Sequence, residues 1–388
     1  MKIANFATEH FFAKYEFTTP YQLCNSDCET LSVDELLKLA DVPLADFGKL
    51  SLGYTESLGN LPLRERIAAG YKYISAEDVV FLGSPIEGIY LAARAILEAG
   101  DEVIALSPAY DALVNMFEHV VGAERVRKWC FKPGASQWEL DFDELEALIN
   151  DRTRLIVVNF PHNPTGFLPT RAQLDQLINS VYLHNLFLFC DEMYFDLAHV
   201  GTAPIPSVVE LNPRTVVLSG LSKTYGLPGL RSGWLVVQDK ALREEIINWK
   251  FYTSICPPAP TEFLTYAALK VKNQLRDRSL AQIETNLKLV DDFFSRWPDL
   301  FTWRRPLAGS TALVEMHVPS VEAFAEKMAR EAGVLIQPAT TLGWDDKHFR
   351  LGLGRSAFGV ALEKFEGYLK NYSLAKAQRK NAQRSRSF

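Results

Sequence analysis

Between about residues 60 and 275, short apolar runs alternate with amphipathic segments, and that alternation restricts the chain to one kind of architecture. The runs Asp78–Leu82, Glu102–Leu106, Arg154–Phe160, Leu186–Cys190 and Thr215–Leu218 are nearly continuous in apolar side chains. That is the pattern of strands covered on both faces. Between them, Gly88–Leu97, Ala112–Val121 and Arg171–His184 repeat apolar residues at helical spacing. Strand, helix and strand in repetition predict an α/β fold, a three-layer α/β/α unit around a mostly parallel sheet. Ligands of such sheets gather at the carboxyl ends of the strands. After about residue 280 the rhythm changes. Helical segments Leu280–Trp297, Val321–Ala332 and Ala361–Lys370 alternate with strand-like Thr311–Glu315 and Phe349–Leu353, which predicts a smaller α+β domain. The expected division is an N-terminal segment 1–50 packed with the small domain, a large domain 51–278, a small domain 279–372 and a polar, basic tail 373–388 without fixed structure.

Hydrophobic and charged fractions of 48% and 23% are those of an ordinary globular protein, and a net charge of -6 disfavours nucleic acid as a partner. The five cysteines are scattered, and Cys24 and Cys28 lack a second pair or a histidine cluster, so no metal site is expected. Unpaired cysteines suit a reducing cytoplasm. No run approaches the ~18 apolar residues of a membrane helix, so no membrane partner is expected.

The polar residues at the predicted strand ends carry the chemistry. Lys223, in Leu218-Ser219-Gly220-Leu221-Ser222-Lys223-Thr224-Tyr225-Gly226, follows an apolar run, and Arg231 comes eight residues later behind a glycine-rich loop. An amine, a hydroxyl and a guanidinium in one loop suit a phosphorylated aldehyde bound as a Schiff base, which points to pyridoxal phosphate. Asp191 ends the run Leu186–Cys190; it is either the partner of a protonated pyridine nitrogen or a helix N-cap. Asn163, in Phe160-Pro161-His162-Asn163-Pro164-Thr165-Gly166, either donates to the ring oxygen or belongs to a plain turn, and Tyr194 either shares that oxygen or packs in the core. Gly83-Ser84-Pro85-Ile86-Glu87-Gly88 joins a strand to a helix, a place where backbone N–H groups favour phosphate. Tyr110 stacks on a pyridine face or is core. Arg350 interrupts an apolar strand; its anion is either a substrate α-carboxylate or an internal acid, and Arg355, beyond that strand, is the weaker candidate.

The order Tyr110, Asn163, Asp191, Tyr194, Lys223, Arg231, Arg350 resembles the fold type I pyridoxal-phosphate enzymes, specifically the class I/II aminotransferases, over Leu50–Leu369. The resemblance implies that Lys223 anchors the cofactor and shuttles a proton between the substrate Cα and the cofactor C4′. It implies that Ser84, Pro85, Ile86, Ser222 and Arg231 surround the phosphate, while Asp191, Asn163, Tyr194 and Tyr110 hold the ring. Tyr54 resembles a tyrosine that reaches the partner subunit's phosphate, which implies a homodimer. Pro85 departs from the family by removing one phosphate N–H, and Gly220 stands where a phosphate-binding serine is common; Ser219 is expected to compensate. The motifs Phe160–Gly166 and Leu221–Arg231 are also similar to the capreomycidine synthase branch, which eliminates and cyclises hydroxylated arginine. Candidate substrate contacts are therefore Arg350 and Asn163, with Glu9, Glu16 and Asp27 as either a solvated acidic face or receivers of a cationic side chain. Transamination is the expected reaction, and elimination with ring closure the alternative. The absence of a Gly-x-Gly-x-x-Gly after an early strand disfavours a nicotinamide dehydrogenase.

Overall fold

A computed structural model describes residues 3–384, with side chains through residue 372. Its centre is a sheet of seven strands: β1 (Val79–Leu82), β2 (Glu102–Ser107), β3 (Val126–Cys130), β4 (Thr153–Asn159), β5 (Phe187–Asp191), β6 (Thr215–Gly220) and β7 (Gly233–Val237), in the order β1-β7-β6-β5-β4-β2-β3. From β6 to β3 every neighbouring pair is parallel, whereas β7 runs antiparallel to both β1 and β6. Alternate side chains enter two separate cores. Ile104, Ile156, Leu188 and Val217 face one, and Val103, Leu155, Phe189 and Val216 the other. Burial on both faces is why these strands read as unbroken apolar runs. β3, at the sheet edge, leaves Arg127 and Lys128 outside the core, which is why it escaped the sequence pattern. β7 escaped as well, because its start at Gly233 continues the glycine-rich loop.

The helices begin where local chemistry allows. Thr170 and Gln173 form a capping box at the start of Arg171–Leu183. Pro85 occupies the first turn of Pro85–Ile96, where its missing N–H costs nothing.

Strands Phe301–Thr302, Thr311–Met316, His348–Gly352 and Gln337–Pro338 form a second, antiparallel sheet with its own core around Phe293, Phe349 and Phe365. The N-terminal segment divides between the two units. Tyr21–Gln22 pairs in parallel with Val334–Leu335 beside the small sheet, while Leu36, Leu37 and Ala40 join a core of the large one. The helix Phe358–Arg384 continues past residue 373, where the composition led to an expectation of no fixed structure. Its Ala, Lys, Gln and Arg are good helix formers that need only extend a helix already nucleated. Residues 385–388 lie outside those described.

One strip positions the site. The Leu23 carbonyl accepts from Gly352 N at 2.8 Å, and Glu29 N donates to the Gly354 carbonyl at 2.9 Å. A Cβ on Gly352 would collide with the Asn25 carbonyl, so backbone meets backbone there and only glycine fits. We predict that Gly352→Ala lowers stability by roughly 1–3 kcal/mol, as overpacking does, measured by denaturant unfolding. A midpoint equal to that of the parent protein would show that the strip is not seated on this strand.

Candidate active site

A cavity of about 420 Å³ opens at the carboxyl ends of β4, β5 and β6, between the large sheet, the strip and the helix α1 (Ala7–Tyr15). Most residues singled out from the sequence line it; Ser84 instead hydrogen-bonds a lining residue, and Ser219 and Tyr54 line other cavities.

Lys223 lies three residues past β6. Its Nζ donates to Ser26 Oγ at 2.7 Å. Burial lowers the pKa of this amine, and Arg350 pushes the same way against the opposing charge of Asp27. Asp191 is the last residue of β5. No helix follows it, so the N-cap alternative fails; its Oδ1 instead accepts from Met193 N at 2.9 Å. Burial raises its pKa to about 6, against the Met193 N–H and Lys223. The Asn163 backbone N–H donates to Asn159 Oδ1 at 2.8 Å, so the end of β4 holds this loop. Asn163 Oδ1 accepts from Arg350 Nη1 at 3.2 Å.

Arg350 is 1% exposed, and its Nη2 donates to the Cys24 carbonyl at 2.9 Å. Its Nε has no partner, and no carboxylate lies within salt-bridge distance among the described residues, so the internal-acid alternative fails. The hydroxyls of Tyr194 and Ser222 are also buried and unpartnered. Arg231 adopts the left-handed conformation (φ 52°, ψ 31°), uncommon for a side chain of its size, and so directs Nη2 to Ser84 Oγ at 3.0 Å, at the start of Pro85–Ile96. Tyr110 lines the cavity and its hydroxyl donates to Glu9 Oε1 at 2.9 Å.

Two expectations need correcting, those for Ser219 and Asp27. Ser219 does not compensate for Gly220: it lines a separate small cavity with Tyr71 and Glu192, and Gly220 is pressed against the Ser232 carbonyl of the chain entering β7, where a Cβ has no room. Tyr54 is 93% exposed, in a surface groove with Cys256 and Pro257. Asp27 is not a free acid, because Arg355 Nη2 contacts its Oδ2 at 2.6 Å. Sequence reasoning also missed Asn25 and Ser26, and the pairing of Arg355 with Asp27. Asn25 and Ser26 carry no pattern, whereas the glycines before Arg355 signal the close approach that places it.

A helix start joined to Ser84 and Arg231 offers hydroxyl, guanidinium and N–H donors. Unpartnered Ser222 and Tyr194 hydroxyls, a half-buried amine and a buried carboxylate lie in the same cavity, so this donor set fits pyridoxal phosphate. The architecture is that of the fold type I pyridoxal-phosphate enzymes: a pyridoxal-phosphate-dependent aminotransferase from Streptococcus suis superposes with a TM-score of 0.88 at 26% identity, covering 96% of this chain and 99% of that one. The sequence model for aminotransferase class I and II matches residues 21–357, and the chain belongs to that family. Similar proteins include capreomycidine synthase of Streptomyces vinaceus, 30% identical over 297 residues (76% of this chain, 75% of that protein). Arginine–pyruvate transaminase of Pseudomonas aeruginosa is 29% identical over 313 residues, 77% of each.

The raised pKa of Asp191 has a consequence for stability. The folded protein holds this proton more tightly than the unfolded chain does, so the contribution is complete below about pH 4 and is lost as pH rises through about 6. In cofactor-free protein, Asp191→Asn should match the parent at pH 4 and exceed it by up to roughly 3 kcal/mol at pH 8, measured by urea unfolding. Equal stabilities at both pH values would place the carboxylate in a solvated setting.

Proposed function

We propose that the protein is a pyridoxal-phosphate-dependent aminotransferase of α-amino acids, working as a homodimer in a reducing, cytoplasmic compartment. The observation that carries this reading is the Lys223 amine, half-buried and held by Ser26 in one cavity with Asp191 and Arg350. When bound, the cofactor supplies an aldehyde to carry the substrate amine and a ring to take up the electron pair left at Cα.

The chain's own residues do the rest. Burial keeps a larger share of Lys223 Nζ unprotonated, as an anchoring nucleophile and a proton carrier between Cα and C4′ require. Asp191 offers a carboxylate to a ring N–H⁺, an ion pair that restores its charged form. Asn163 spends its oxygen on Arg350, leaving its NH₂ and the Tyr194 hydroxyl to donate to the ring oxygen. Ser84, Ser222, Arg231 and the Ile86 N–H face the phosphate, and Pro85 contributes none. Tyr110 packs against the ring. Arg350 takes the substrate α-carboxylate, its Nε being the group without a partner.

Tyr54 is assigned to the partner's phosphate, which its exposure beside Cys256 and Pro257 supports. The five cysteines, all free, support the reducing compartment. We assign residues 51–278 to the large domain and 279–372 to the small one.

A second reading uses the same residues as far as loss of the Cα proton. A β- or γ-substituent then leaves and a guanidine nitrogen closes a ring. The 30% identity to capreomycidine synthase favours it. Product mass separates the two: a keto acid for transamination, a cyclic amino acid with no net loss of nitrogen for cyclisation.

Lys223→Ala should fold normally, yet show no visible absorbance on adding pyridoxal phosphate and no mass adduct after borohydride. A mutant with the parent's spectrum would end the lysine assignment. Arg350→Ala should raise KM for amino acids roughly tenfold or more with a smaller change in kcat; unchanged KM would make Arg350 purely structural.

A further inference from the structure

We propose that the cavity selects a substrate whose side chain is itself a cation, of the guanidinium or alkylammonium class, held by Glu16 with Glu9 beside it. This rests on the reading of Lys223 and Arg350 given above.

Charged groups of both signs line the cavity wall. Four cations line it: Lys223, Arg231, Arg350 and Arg355. Four carboxylates do so too: Glu9, Glu16, Asp27 and Asp191. Arg355 is taken by Asp27 at 2.6 Å. Under the proposed roles Arg231 meets a phosphate, Asp191 a ring N–H⁺ and Arg350 a substrate carboxylate, while Lys223 gives up its charge on anchoring. Glu9 and Glu16 are left over. Neither has a cation within salt-bridge distance among the described residues, and Glu9 accepts only from a neutral tyrosine hydroxyl.

Two further observations point the same way. Glu16 is the C-cap residue of α1, so the negative end of that helix's dipole adds to its charge where a cation is favoured. Burial first, then the charges of Asp27 and Glu9, raise the Glu16 pKa against the opposing charges of Arg355 and Lys223. The acids do not stand alone as a site. The unpartnered Arg350 Nε and Tyr194 hydroxyl, on residues 1% and 3% exposed, line the same cavity. The cavity therefore holds a guanidinium that seeks an anion and two carboxylates without a cation, the charge complement of a basic α-amino acid. An acidic side chain would meet repulsion at Glu16, and a neutral one would leave its charge unanswered.

The test compares L-arginine, L-norleucine and L-glutamate on the purified holoenzyme, following the cofactor's visible spectrum and product formation. Norleucine has an unbranched apolar side chain without the charge. Arginine should exceed norleucine in kcat/KM by roughly tenfold or more, with glutamate last, and Glu16→Gln should shrink the arginine-to-norleucine ratio by about tenfold. The inference is overturned if norleucine or glutamate matches arginine in the parent enzyme, or if the ratio survives Glu16→Gln. If no amino acid perturbs the spectrum and Lys223 cannot be trapped with borohydride, the underlying reading falls and this one with it. If norleucine reacts well and arginine gains nothing, only the side-chain inference fails.

Discussion

A guanidinium with no carboxylate partner, removed almost wholly from water, is the constraint around which the site is organised. Arg350 sits on a strand of the small sheet, bonds to the Asn163 side chain in the loop after β4, and bonds to the Cys24 carbonyl in the N-terminal strip. Three parts of the chain, more than 100 residues apart in sequence, thus share one buried charge. Two neutral acceptors satisfy two of its nitrogens and do not cancel its charge, so the cavity keeps a strong preference for an anion. A protein holds such a group only where a ligand completes it, which makes Arg350 a binding element before it is a stabilising one.

The strip that carries Cys24 also sets the environment of the lysine. Ser26 holds Nζ, and Asp27 supplies a nearby negative charge that is itself steadied by Arg355. The strip lies so close to the His348–Gly352 strand and to the loop after β6 that Gly352 and Gly226 leave no space for a Cβ. Packing of this tightness fixes the floor of the cavity. Helix α1 closes another wall and brings Glu9 and Glu16 to it, while Asp191 and Lys223 come from the strand ends.

Much of this was legible in the sequence. Asp191 and Lys223 are readable because each follows a run of apolar residues that can only be a buried strand, and a charge at the end of such a strand requires a partner. Arg350 is readable for the same reason inside its own strand, and the structure removes the alternative of an internal acid. The misses have equally specific causes. β3 is an edge strand whose outward Arg127 and Lys128 break the run. Ser219, one residue from a plausible phosphate position, faces the opposite side of the sheet because successive side chains alternate. Asn25 and Ser26 belong to a strip of irregular backbone, for which no period exists to detect.

Residue order alone determined the α/β class, the positions of most strands and helices, and the chemistry collected at β4, β5 and β6, since apolar periodicity and burial act over a few neighbouring residues. Tertiary structure decided which acids are spoken for and which remain free, that β7 enters the sheet antiparallel, and that Tyr54 lies away from its own chain's cavity. Those outcomes depend on contacts between segments hundreds of residues apart, and no local pattern records where such segments will meet.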